Sequence, residues 1–257
     1  MRLHWRGTIL YPASLVALFL GLQVVLGWLG IPFAQQASLA AIPSVAALLL
    51  SLPWRLRRAW GESSPWKRLG VRTSWAELIE TLSRGLGLVA ALLLFMVVAL
   101  CIGGAHTELR LTPALVLNAV MLGLGVGFAE ELLFRGWLLG ELTLLMGHQR
   151  ALWVQAVIFS LVHPLFHRPT LELALFFGGY VLLGVLLAER RRRDHGVLWG
   201  AVGLHGGAVG GWFLLSQGVL NLQAAGPAWL LSPANPIGGL VGWIGLLALL
   251  AWLRCRR

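Results

Sequence analysis

The sequence predicts an all-α protein, a polytopic membrane bundle of about eight transmembrane helices, and three observations carry that expectation. Hydrophobic residues make up 58% of the 257-residue chain and charged residues only 12%, at a mean hydropathy of +0.80, a balance foreign to soluble domains. Apolar stretches recur along the whole length, each near the roughly 20 helical residues that cross a hydrocarbon core of about 30 Å. The basic residues gather in alternate connections, as they do in cytoplasmic loops.

The eight stretches fall at 9–29, 39–54, 85–103, 112–134, 152–166, 171–188, 196–215 and 237–253. Arg2 and Arg6 precede the first, and Arg55, Arg57, Arg58, Lys67, Arg68, Arg72 and Arg84 fill the second-to-third connection. Arg190, Arg191, Arg192 and Arg193 follow the sixth, Arg254, Arg256 and Arg257 the eighth, and Arg150 joins the same side. Only Arg110 and Arg168 fall opposite. Both termini are therefore expected in the cytoplasm, with the protein multi-pass in a bacterial plasma membrane or a thylakoid. The formal charge of +10 reads as topology, with attraction to the anionic headgroups of the lipid bilayer as a side effect. No nucleic-acid partner is expected, because the basic runs are short and lack interleaved stacking aromatics.

The first stretch is long for a cleaved signal peptide and is expected to be retained. Cys101 and Cys255 belong to opposite sides of this topology, which leaves no disulfide framework. The chain divides into residues 1–110, a set of N-terminal spans with a cytoplasmic amphipathic connection, and residues 111–257, which carry the chemistry. In that connection Trp75, Leu78, Ile79 and Leu82 have the spacing of a short helix lying on the inner surface. No internal repeat is present.

Against this apolar background the run GFAEELLFRG, 127–136, carries two carboxylates and a guanidinium. A charge at the centre of a membrane helix costs about 2.5–3.5 kcal/mol even on insertion scales, so such groups face the bundle interior and find partners. Glu131 and Arg135 stand four apart with the acid first, the favoured order for an ion pair. Glu130 points about 100° away round the helix and is left to meet something else. Two histidines are available downstream. His163 follows Phe159 by four residues, just before the helix-ending Pro164, and His205 lies within the seventh stretch. A lone histidine in an apolar helix is ordinarily a packed core residue. Two of them in separate spans, with an unpaired glutamate in a third, point to a shared polar site. His4, His106, His148, His167 and His195 fall in loops or at their edges and are expected at the surface.

A carboxylate in a dry cavity suits a general base that takes a proton from water and returns it to a leaving amine. One histidine can orient that water and another can donate to a developing oxyanion. The same three groups can also hold zinc, whose ligands include His and Glu. Spacing leaves both readings open.

The pattern Glu130-Glu131-x-x-x-Arg135, then Phe159-x-x-x-His163, then His205 resembles the CAAX prenyl protease and bacteriocin-processing family of intramembrane endopeptidases, the type II CAAX or Abi family, over about residues 115–215. The resemblance implies Glu130 as the water-activating base, His163 as a residue that positions the water, and His205 as an oxyanion donor. Glu131, Arg135 and Phe159 would shape the site, and the substrate would be a membrane-associated peptide or protein. The family is described both as zinc-dependent and as metal-free, so zinc bound by Glu130, His163 and His205 and a glutamate mechanism with no cofactor both stay open. One departure stands out: the family's third motif carries Asn or Asp four residues after the histidine, where this chain has Val209. That departure supports an alternative, a catalytically weakened member acting as a membrane scaffold. A proton-coupled carrier is a third reading, and the lack of repeat symmetry speaks against it.

Overall fold

The structure, a computed structural model, describes residues 3–163 and 170–255. Pro164, His167 and Arg168, and the terminal Arg2, Arg256 and Arg257, lie outside the described residues. The chain forms two compact units, Met1–Arg68 and Leu69–Arg257.

In the first unit, α1 (Trp5–Trp28) and α2 (Phe33–Trp60) pack against one another and a short α3 (Pro65–Arg68) follows. Helix α2 stops where Gly61 takes a left-handed φ of 71° and the following Glu62 N–H closes on the Leu56 carbonyl at 3.3 Å. The outward side chains of α1, among them Ile9, Leu10, Leu20 and Val24, are apolar and exposed, as a lipid-facing surface requires.

The second unit begins with α4 (Trp75–Ile102), started by a reciprocal capping box between Ser74 and Glu77. The separate surface helix expected over 75–82 is not formed. Nothing after Leu82 breaks the helical hydrogen bonding, so Trp75–Leu82 become the first turns of one 28-residue helix. A two-residue strand β1 (His106–Thr107) leads to α5 (Pro113–Glu131), capped by the Thr112 hydroxyl with Pro113 at its first position. Without a break, a π-helical segment (Leu132–Leu138) and α6 (Leu139–Met146) continue it. Then come α7 (His148–Leu161), α8 (Thr170–Arg193), α9 (Trp199–Gly218), β2 (Leu220–Asn221), a short α10 (Ala228–Leu231) and α11 (Leu240–Cys255).

Every predicted apolar stretch is mainly helical where it is described. Five segments are long and apolar enough to cross a membrane: Trp5–Trp28, Gln35–Trp60, Trp75–Ile102, Pro113–Met146 and Leu171–Arg193. Helices α7 and α11, of 14 and 16 residues, are shorter, and the glycine-rich α9 is not among the five. The all-α architecture holds, and among the described residues five helices meet the length and composition of a membrane span, which leaves the count of about eight unconfirmed.

Helix α9 is the axis of the second unit, packed most extensively on α4 and α5. Small residues let the backbones close up, the usual device where lipid removes the hydrophobic drive between helices. A Cβ on Gly127 would stand 2.6 Å from the Gly206 Cα, and one on Gly123 2.7 Å from the Gly206 carbonyl oxygen. On the α4 side, a Cβ on Gly203 would stand 2.6 Å from the Leu82 carbonyl oxygen. This crossing brings the end of α5 against the middle of α9. The two cysteines are free and exposed.

Candidate active site

The close α5–α9 approach places Glu130 and Glu131, in the last turn of α5, opposite His205. Glu131 is fully buried, and its Oε1 accepts from Arg135 Nη1 at 2.8 Å and from His205 Nδ1 at 2.8 Å. Arg135, also fully buried, reaches the Gly184 carbonyl of α8 through Nη2 at 3.4 Å. Its guanidinium lies 4.0 Å from the Phe159 ring centroid, so one face of the cation is covered by the negative face of an aromatic. Phe159 is fully buried and meets Phe134, His163 and His205 edge-on at 5.1, 4.6 and 5.7 Å. It is the apolar wall against which the charged groups are set.

His163 sits just past the end of α7. Its Nδ1 lies 2.6 Å from the Phe159 carbonyl oxygen, an acceptor only, so Nδ1 carries the proton. The same reasoning gives His205 a proton on Nδ1, facing the Glu131 carboxylate. Both rings are thereby turned so that Nε2 points at one atom. His163 Nε2 is 3.7 Å and His205 Nε2 3.9 Å from Glu130 Oε2. That oxygen is buried and makes no hydrogen bond, while the Glu130 side chain as a whole is 30% exposed. The structure thus brings Glu130, His163 and His205 into one cluster, with Glu131, Arg135 and Phe159 directly behind them. Val209, one turn beyond His205, is half-buried.

Among the described residues, no group of three or more His, Cys, Asp or Glu is arranged to hold a metal ion.

Residues 90–210 match the family model described as Type II CAAX prenyl endopeptidase Rce1-like. This segment belongs to that family. No curated protein and no solved structure matches the chain. The CAAX-type segment runs from α4 to just past Val209 and contains all six residues of the cluster. It is a protease family of membrane proteins, and the exposed apolar helices agree that this is an integral membrane protein.

Four features of this cluster were not legible in the sequence. Glu131 bonds His205 as well as Arg135, a tertiary contact between residues 74 positions apart. Tyr180 of α8 stacks on the His163 ring at 4.0 Å, and its hydroxyl accepts from the Asn235 amide at 3.0 Å. Gln155 donates to the same Gly184 carbonyl as Arg135, at 3.1 Å. Arg191 donates to the Arg135 carbonyl within the π-helical segment and to the Leu69 carbonyl at 3.2 Å. Only the run of four arginines was visible beforehand, and it reads as topology whichever member reaches inward.

Proposed function

We propose that the chain is an intramembrane endopeptidase that hydrolyses a peptide bond in a membrane-associated protein or peptide, using water activated by Glu130. The observation that supports this best is the buried Glu130 Oε2, without a hydrogen bond and faced by two Nε2 atoms. With its Nδ1 protonated, a neutral His163 presents only an acceptor to it. A water molecule has the two donors such a site calls for.

In this reading Glu130 takes one proton from the water while His163 Nε2 accepts the other hydrogen bond and fixes the oxygen. The oxygen attacks the scissile carbonyl carbon, forming the tetrahedral oxyanion. His205, protonated at both nitrogens, donates Nδ1–H to Glu131 and Nε2–H to the oxyanion. Two carboxylates and one guanidinium leave one negative charge in the cluster, which a proton on His205 balances. Collapse expels the amine, which takes back the proton held by Glu130. No metal enters this scheme.

The test is a cleavage assay on the purified protein with a library of lipidated, membrane-anchored peptides, with and without a strong chelator. Cleavage that survives the chelator and disappears in Glu130→Gln is expected. Activity abolished by the chelator and restored by zinc would overturn the glutamate scheme while keeping the protease. A second reading, a weakened member that holds a membrane partner, is favoured by Val209, and it predicts no cleavage of any peptide until Val209→Asn restores it.

A further inference from the structure

His163 stands just past the end of α7, its backbone N–H donating to the Ser160 carbonyl at 3.2 Å. Its ring is tied through Nδ1 to the Phe159 carbonyl. The torsion that turns a histidine ring is broad, and a hydrogen bond adds only about 0.5–1.5 kcal/mol to holding it. Two aromatic rings supply the rest of the restraint. Phe159 meets the imidazole edge-on, and Tyr180 of α8 covers its face, with centroids 4.0 Å apart and planes 27° from parallel. The half-buried Tyr180 is held in turn at its far end, where its hydroxyl accepts from the Asn235 amide at 3.0 Å. Asn235 lies in the connection between α10 and α11. Its N–H closes on the Ser232 carbonyl at 2.9 Å, and its own carbonyl accepts from the Gly238 N–H at 3.0 Å. This connection rests directly on α8, since a Cβ on Gly179 would run into the Ile237 carbonyl oxygen and one on Gly238 into the Phe176 ring.

We infer that Tyr180, fixed by Asn235, is a positioning residue for the proposed hydrolysis: it holds the His163 ring in the plane that keeps Nε2 on Glu130 and its water. The inference rests on the protease reading and on the part His163 plays in it. Nε2 stands 3.7 Å from Glu130 Oε2, and a turn of the ring torsion would swing it off that oxygen. A flat ring stacked on the imidazole blocks the turn sterically, where the Nδ1 bond alone restrains it weakly. The phenol hydroxyl gives Asn235 its hold, so the stack is anchored to the α10–α11 connection as well as to α8. Tyr180 acts here through the contacts it makes, and Asn235 acts through Tyr180.

Two readouts test this on the full-length protein, and one of them needs no substrate. In protein in detergent labelled at the histidine ring carbons, the Cε1–H resonance of His163 is identified by its loss in His163→Gln. The Tyr180 ring current is expected to shift it upfield in the wild type, and Tyr180→Leu should move it downfield. In the cleavage assay, Tyr180→Leu should lower kcat by about 10- to 10²-fold, the cost of a misplacement of roughly 1 Å, with KM unchanged. Tyr180→Phe keeps the stack and loses only the bond, so it should restore most of the activity and match Asn235→Ala. The double variant should be no worse than either, as residues acting through one contact are not additive. A His163 resonance that stays in place in Tyr180→Leu, or wild-type kcat in that variant, would overturn the positioning role. A wild-type protein that cleaves nothing would sink the protease reading, and the resonance would then still decide whether Tyr180 holds His163. If Tyr180→Leu fails to fold, Asn235→Ala decides: the resonance should move partway downfield, and no movement with unchanged kcat overturns the role.

Discussion

Replacing Glu130 with Gln keeps the shape of the side chain and removes its capacity to take a proton from water. In the proposed scheme Glu130→Gln lowers kcat by about 10²- to 10⁴-fold, the usual worth of a general base, with thermal stability in detergent unchanged. Glu131→Gln acts differently, because Glu131 is what compensates a fully buried Arg135 and orients His205. Removing one partner of a buried ion pair costs about 3–5 kcal/mol, so this variant loses stability along with activity. Near-wild-type turnover in Glu130→Gln would remove the proposed role. Val209 lies on the His205 face, one turn on. A missing oxyanion donor costs about 10²- to 10³-fold in rate. Val209→Asn is therefore expected to raise kcat, and the gain should vanish in a His205→Ala background. At this scale, the pairing of Glu131 with Arg135 could be read from spacing, and so could the separate direction of Glu130, since a helix fixes both. The bond from His205 to Glu131 could not. It depends on which helices cross, and a histidine amid glycines says nothing of its partner.

The helices meet through glycine, and this sets what each crossing tolerates. A Cβ on Gly206 would run into the Gly123 backbone carbonyl, whereas one on Gly125 meets nothing within 4 Å. Gly206→Val is therefore expected to push α9 from α5, destabilising the protein by about 1–3 kcal/mol as overpacked cores do and separating His205 from Glu131, so that activity falls further than stability. Gly125→Ala should match wild type in both. Equal behaviour of the two variants in a detergent unfolding assay with parallel turnover measurements would show that the crossing does not hold the site. The length of the apolar runs made the helices themselves legible, and each predicted stretch is mainly helical where it is described. Their limits were harder to read. Trp75–Leu82 carries enough polar residues to resemble a surface helix, and only the capping box at Ser74 and Glu77 shows that α4 starts there. The π-helical segment over Leu132–Leu138 has no local signal in the form of Pro or a Gly pair. Its Arg135 carbonyl is taken by Arg191 from α8, so the tertiary structure supports it. Such segments recur at functional sites, and this one directly follows the two glutamates.

Within the second unit, the two ends of the bundle are held by different chemistry, and this bears on which end faces the cytoplasm. At one end β1 pairs with β2, and Glu108 bonds both Arg110 and Asn221. These neighbours hold the Glu108 carboxyl at about 2, largely through the Arg110 hydrogen bond, so it stays charged at any physiological pH. At the other end Arg191 reaches the carbonyls of Leu69 and Gly196, Trp199 donates to the Val71 carbonyl, and Arg193 donates to the Arg254 carbonyl. Arginine is concentrated at this second end, and by the rule that basic loops stay inside it is expected to face the cytoplasm. The prediction is tested in a background with Cys101→Ser and Cys255→Ser. Arg192→Cys should resist a membrane-impermeant maleimide in intact cells and react after permeabilisation, while Leu109→Cys, at a residue 76% exposed, should react in intact cells. Ready labelling at 192 with protection at 109 would invert the bundle. The inverted case carries a consequence for the site, because the carbonyl of Arg135 is tied to Arg191 at the arginine-rich end, and substrate would then approach Glu130 and the two histidines with that end on the far side of the membrane.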